Sequence, residues 1–361
     1  MVVFTPRDIR ILYRMSREAR RRGISAAEFS DTMTDEDALR LAMKPVDPAR
    51  WGLPPDDDIT ADVPPRDPRL AEVVAAARKS QWEPAAALLA GHGADWERRA
   101  VDVETLADVA VDVDWLETWR AARPGDPHAA TVHARMLVTL AWKLRGARLA
   151  RQTSAEQFAG FFRTLDAAEE ATTQAIDAAP DDPTPWWTMV TLARGQQMSH
   201  DRFRRIWAGL LARAPLHRYG HDQALQYWCD KWAGTHERMF DFAEASAAKD
   251  PSLSSLPVQA CYEYVIREEK PIWRSRRARL ALDNLLDWLA GAGAGSIHEH
   301  HDRSIAALGL TGAGRHDEAV EQFRLLGRRA DSWAWSYSTD ARLKFLTTRW
   351  DACKKARRPS R

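Results

Sequence analysis

Cysteine is scarce in this chain of 361 residues: Cys229, Cys261 and Cys353 lie far apart and form no CxxC pair. That spacing excludes a disulfide framework and a zinc ribbon, and it fits a reducing compartment. Long apolar runs are missing as well. No stretch approaches the roughly 18 apolar residues of a membrane span, so no membrane association is expected. The opening residues MVVFTPRDIRILYRM carry charges early and no apolar stretch, so a cleaved signal peptide is not expected and the anticipated location is cytoplasmic. Net charge is almost absent, with 52 Lys+Arg against 51 Asp+Glu. This balance argues against a chain coated to bind nucleic acid, though not against a local basic patch. Lysine is rare, 9 residues against 43 Arg, and 6 Tyr stand beside 16 Trp. Arg and Ala richness fits GC-rich coding, whereas Trp has a single codon, so the tryptophans ask for a structural use.

Apolar residues at 45% can build a buried core over two or three ordinary domains, or one elongated repeat domain. Strand patterns are nearly absent, so the expected fold class is all-α. A first helix is expected over 6–23, closed by Gly23, and another over 34–43, where Thr34 precedes Asp35, Glu36 and Asp37. Seven prolines between Pro45 and Pro68 then mark a Pro-rich linker, or an arm laid on the main body. The organisation read from these changes is a helical arm over 1–44, the linker over 45–68, a helical repeat domain over 69–340, and a basic helix or tail over 341–361.

The repeat shows in its punctuation. Pro180, Pro215 and Pro251 each close a helix and lie 35 and 36 residues apart, with Pro124 one longer unit earlier. The last unit carries Ala306, Ala307 and Leu310, then the turn Gly314-Arg315-His316, then Ala319 and Phe323. The preceding units place Trp186, Met189, Val190 and Ala193, then His221, Ala224, Leu225 and Trp228, then Pro257, Ala260, Cys261 and Tyr264, at first-helix positions, and Ala134 serves the unit after Pro124. This pattern resembles a divergent tetratricopeptide repeat (TPR), a helix pair of about 34 residues with Pro closing the second helix. The A-x3-F of the second helix is blurred in the middle units, a departure from the family pattern. The phrase from Lys231 to Ala243, KWAGTHERMFDFA, is similar to one found in uncharacterised bacterial TPR-like proteins, and it implies no activity. The resemblance implies an α-solenoid of antiparallel helix pairs that binds a peptide or helix in its concave groove.

In the TPR register the groove residues are His128, Thr131 and Arg135; Trp187, Thr191 and Arg194; Tyr219, Asp222 and Gln226; Ser255 and Tyr262; His301 and Ser304. Aromatics, amides and Arg suit a protein partner. Trp186 is expected to pack between helices and Trp187 to face the groove, so Trp187→Ala is expected to weaken partner binding and leave the helices intact. Trp333 and Trp335 are expected at the end of the stack.

Other chemistry has thinner support. GxSxG, SxxK, HExxH and a phosphate loop are absent, and Gly291–Gly295 reads as a connection. His298, His301 and Asp302 share a helix face and are a weak alternative as Zn²⁺ ligands, but no cofactor or metal is expected. An enzyme built around His217, His221 and His298–His301 is the second function class, and it requires these helices to converge. A third is a nucleic-acid-associated regulator using the basic stretches 7–22, 267–279 and 342–361. Opposing these, residues 95–117 hold eight acids, among them Glu97, Glu104, Asp108 and Asp112.

Overall fold

Prolines at first-turn positions and Asp, Ser or Thr caps open most of the described helices. The computed structural model describes residues 6–43, 46–146, 155–337 and 340–357. Pro45 of the Pro-rich stretch, and Arg358 and Arg361 of the basic tail, lie outside the described residues. The described helices are α1 (Pro6–Arg22), α2 (Ala26–Thr32), α3 (Asp35–Met43), α4 (Pro68–Ala77), α5 (Glu83–Ala90), α6 (Trp96–Asp112), α7 (Trp115–Ala122), α8 (Pro127–Arg145), α9 (Ala155–Ala178), α10 (Pro183–Gly195), α11 (His200–Leu211), α12 (Arg218–Trp228), α13 (His236–Lys249), α14 (Ser255–Glu268), α15 (Arg276–Ala290), α16 (Glu299–Ala313), α17 (His316–Leu326) and α18 (Ala341–Lys355). Among the described residues the only β pairing is an isolated bridge between Thr60 and Arg329. The fold is all-α.

Pro180, Pro215 and Pro251 lie just past the ends of α9, α11 and α13, and other prolines open the helices α8 and α10. Asp126 and Asp182 cap α8 and α10, each followed by Pro at the first helical position, where the missing N–H costs nothing. The long spacing before Pro180 reflects two long helices, α8 with 19 residues and α9 with 24. The shorter spacings hold the pairs α10/α11 and α12/α13.

Two compact units divide the chain: residues 64–302, and residues 1–63 together with 303–361. This division differs from the one read off composition. In the larger unit, α4 to α7 pack a core of Leu70, Val73, Leu88, Val103, Leu106, Trp115 and Trp119 onto the start of α8. Beyond it α8 packs on α9, α9 on α10, α10 on α11, α12 on α13, α13 on α14 and α14 on α15, and the first helices of successive pairs, α8, α10, α12 and α14, also pack on one another. This is the contact pattern of stacked helical hairpins.

In the other unit the Pro-rich stretch is a packed element. Trp51, Leu53 and Ile59 are buried. The Asp56 carboxylate accepts the Trp350 indole N–H at 3.0 Å, pairs with Arg40 at 3.1 Å and takes the buried Arg349 guanidinium. Arg349 also donates to Pro54 O at 3.0 Å, and Arg342 donates to Ile59 O and Asp56 O. Two cations of the basic stretch 342–361 are therefore hydrogen-bonded within the fold. Trp335 is fully buried against Phe323 and Phe345, a core residue of this unit, while Trp333 is half-buried beside Tyr337.

Candidate functional site

The first helices α8, α10 and α12 pack in series, and α6 lies against α8 and α10. Glu97 and Glu104 are seven residues apart, two helical turns, and so project from the same side of α6. Arg135 of α8 forks onto Glu104, with its Nη2 3.0 Å from Oε1, and donates from Nη1 to Thr191 Oγ1 at 3.1 Å. The same guanidinium sits 4.1 Å from the Trp187 ring centroid. Trp187 is fully buried, with Tyr219 and His217 against it at 5.1 and 5.9 Å between centroids.

Glu97 ties α6 to two further helices. Its Oε1 accepts the Arg218 backbone N–H at 2.8 Å, and its Oε2 lies 2.7 Å from His298 Nε2. Burial would raise the Glu97 carboxyl, but the His298 hydrogen bond, the nearby His217 and His298 rings and the Arg218 N–H outweigh it and hold the group below its usual range. Burial likewise opposes the charge on Arg218, yet Asp302 at 2.7 Å and Asp222 at 3.2 Å keep it firmly protonated. Asp222 also accepts Gln259 Nε2 at 3.0 Å. Gln226 and Lys231 both donate to Glu263, each at 2.6 Å. Tyr219, half-buried, has its hydroxyl pushed upward by burial and by the carboxylates of Glu104, Asp222 and Glu97.

Compared with family models, curated proteins and solved structures, the chain matches none of them. What can be said of the site therefore rests on its own geometry.

The expected groove residues divide accordingly. Arg135, Trp187, Thr191 and Tyr219 meet between α8, α10 and α12, and Asp222 and Gln226 bond Gln259 and Glu263 of α14. Trp187, however, is core and not a groove ring, because Arg135, Tyr219 and His217 cover it. Its neighbour Trp186 packs on α11 at Gly209, where an added Cβ would fall 2.1 Å from the indole. Thr131 is buried and donates to Pro127 O of its own helix. Half-buried Arg194 lies over the Trp142 and Trp232 rings at 4.5 and 5.4 Å. His128 and His301 are half-buried, and burial lowers both imidazoles. Tyr262 and Ser304 are buried, and Ser304 belongs to the other compact unit.

The histidines converge in part. His217, His298 and Glu97 adjoin, whereas the His221 ring lies against Trp207 and Phe242, and burial pulls it down to about 4. The weak Zn²⁺ trio is committed elsewhere: His298 to Glu97 and Asp302 to Arg218. Among the described residues no three His, Cys, Asp or Glu side chains are grouped to hold a metal ion. No described helix is long and apolar enough to cross a membrane.

Glu97, Glu104, Arg218, Gln259 and Glu263 were not in the expected set. A signal existed for the first two, since the acidic stretch 95–117 places them at helical spacing. Arg218 lies one residue before Tyr219, where the TPR register assigns no groove role.

Proposed function

We propose that this chain is a TPR-like protein-interaction scaffold that holds a partner segment along the inner face of its hairpin stack. One observation supports the reading most: half-buried Tyr219, Asp222 and Gln226 occupy successive inner positions of α12, within a strip of hydrogen-bonded polar side chains running from Arg135 to Glu263. A strip of this kind presents fixed donors and acceptors to an extended chain, and its ordered side chains lower the entropy cost of binding. Glu97 and Glu104 of α6 form its edge, so the partner contacts the α12–α14 side of the strip, with Tyr219 as the aromatic anchor.

The second reading, an enzyme, draws on the adjoining His217, His298 and Glu97. Their hydrogen bonds favour a structural role: His217 Nδ1 caps α12 by accepting Gly220 N–H at 3.1 Å, and both Glu97 oxygens are engaged.

A photo-crosslinking amino acid placed in living cells at Tyr219 or Gln226, and at exposed Arg205 of α11 as a control, tests the scaffold. The scaffold reading expects one discrete protein adduct from the α12 positions and none from Arg205. Identical adducts from all three positions, or none from α12, would overturn it.

A further inference from the structure

The phrase from Lys231 to Ala243 is not accounted for by the inner strip. Cys229 ends α12, and a tight turn leads to α13, which opens at His236. Only glycine fits at position 234, because an added Cβ would lie 1.8 Å from Trp228 O. The turn therefore brings the end of α12 close to the start of α13. His236 and Met239 are three residues apart and share one face of that helix. Cys229, His236 and Met239 line one small, partly open cavity. In it the Cys229 Sγ lies 3.3 Å from the Met239 Sδ.

His236 is oriented as metal-binding imidazoles are. Its Nε2 is 3.0 Å from Glu268 Oε1, which assigns the ring proton to Nε2. Nδ1, buried and without a hydrogen-bond partner, then carries the lone pair. A ligating histidine characteristically gives its other N–H to a carboxylate, which fixes tautomer and direction.

From this geometry we propose a binding site for monovalent copper, with Cys229 thiolate and Met239 thioether as the soft ligands and His236 Nδ1 as the third. Thiolate, thioether and imidazole together select Cu(I) over harder cations. Charge points the same way. The other charged groups around the cavity are already matched, Lys231 with Glu263 and Arg267 with Asp230. A thiolate with Cu⁺ is a neutral pair that burial tolerates, whereas a divalent ion would leave a buried charge uncompensated. The sulfurs need to part by less than about 1 Å to hold an ion at metal–sulfur distances of roughly 2.3 Å, within reach of a flexible Met side chain. On binding, the S–H bond of Cys229 breaks, the copper–sulfur bond forms and the proton leaves to solvent. No oxidant or reductant is consumed.

The test is anaerobic titration of the full-length reduced protein with Cu(I) in competition with a chromophoric Cu(I) chelator, with circular dichroism on each variant. The site requires about one copper per chain with release of about one proton. Cys229→Ala abolishes retention, Met239→Leu weakens it at unchanged helix content, and Cys261→Ser leaves it intact. Glu268→Gln, acting through the orientation of His236, weakens retention about 10- to 100-fold. Loss of all copper to the chelator by the unaltered protein would overturn the site. So would Cys229→Ala and Met239→Leu variants that retain copper as fully as the unaltered chain.

Discussion

His298 and Glu97 meet at 2.7 Å although 201 residues separate them, and the other oxygen of the same carboxylate holds the Arg218 backbone N–H. This one carboxylate joins α6 to α12 and to the residue that precedes α16. A carboxyl held below its ordinary value stabilises the fold fully above the unfolded value of about 4.3 and loses that contribution as pH falls through the lower folded value. Glu97→Gln is therefore expected to cost about 1–2 kcal/mol at pH 7. The difference from the unaltered chain should begin to shrink only as pH falls below about 4, as measured by urea unfolding across pH.

Arg218 is a buried cation between Asp302 and Asp222. Removing it strands one fully buried carboxylate. Arg218→Ala should cost about 3–5 kcal/mol, while the double variant Arg218→Met with Asp302→Leu recovers part of the loss. Equal stability of the single and double variants in thermal and urea unfolding would contradict this pairing.

Several imidazoles are buried or half-buried and depressed: His221 and His133 to about 4, with His217 and His301 also lowered, burial being the first cause in each. In the unfolded chain they bind protons near pH 6.5, and in the folded chain only at lower pH. Their contribution is complete above about pH 6.5 and falls as pH drops toward 4, by up to about 1.4 kcal/mol per pH unit for each group. His221→Phe, at a ring already flanked by Trp207 and Phe242, is expected to flatten this slope by close to one proton between about pH 4.5 and 6.

Trp187→Ala probes the position that the repeat register assigns to the groove and the tertiary packing assigns to the core. With Arg135, Tyr219 and His217 against the ring, the truncation should cost about 3–5 kcal/mol. A folded variant of unchanged Tm would return the ring to the surface.

Gly209→Ala should destabilise by about 1–3 kcal/mol through overpacking against Trp186, and adding Trp186→Leu should relieve it. Gly234→Ala meets backbone at Trp228 instead, so no side-chain substitution rescues it.

Helices, caps and the hairpin period were legible because their causes are local. Asp126 and Asp182 before proline, Thr235 before α13 and the positions of Pro180, Pro215 and Pro251 each act within a few residues. The register assigned Arg135, Thr191, Tyr219, Asp222 and Gln226 to one face, since helical spacing alone decides which side chains are neighbours along a helix. It could not say what that face would meet. Glu97 and Glu104 read only as members of an acidic stretch until α6 packed against α8 and α10 and set their carboxylates on Arg135, Arg218 and His298. Similarly, the Pro-rich stretch looked extended until Asp56 found Arg349 and Trp350. By itself the sequence determined an all-helical chain of capped hairpins, through interactions that span one or two turns. Only the tertiary structure decided which polar residues are buried and with whom, because a charge leaves water only where a partner from a distant segment offsets its desolvation.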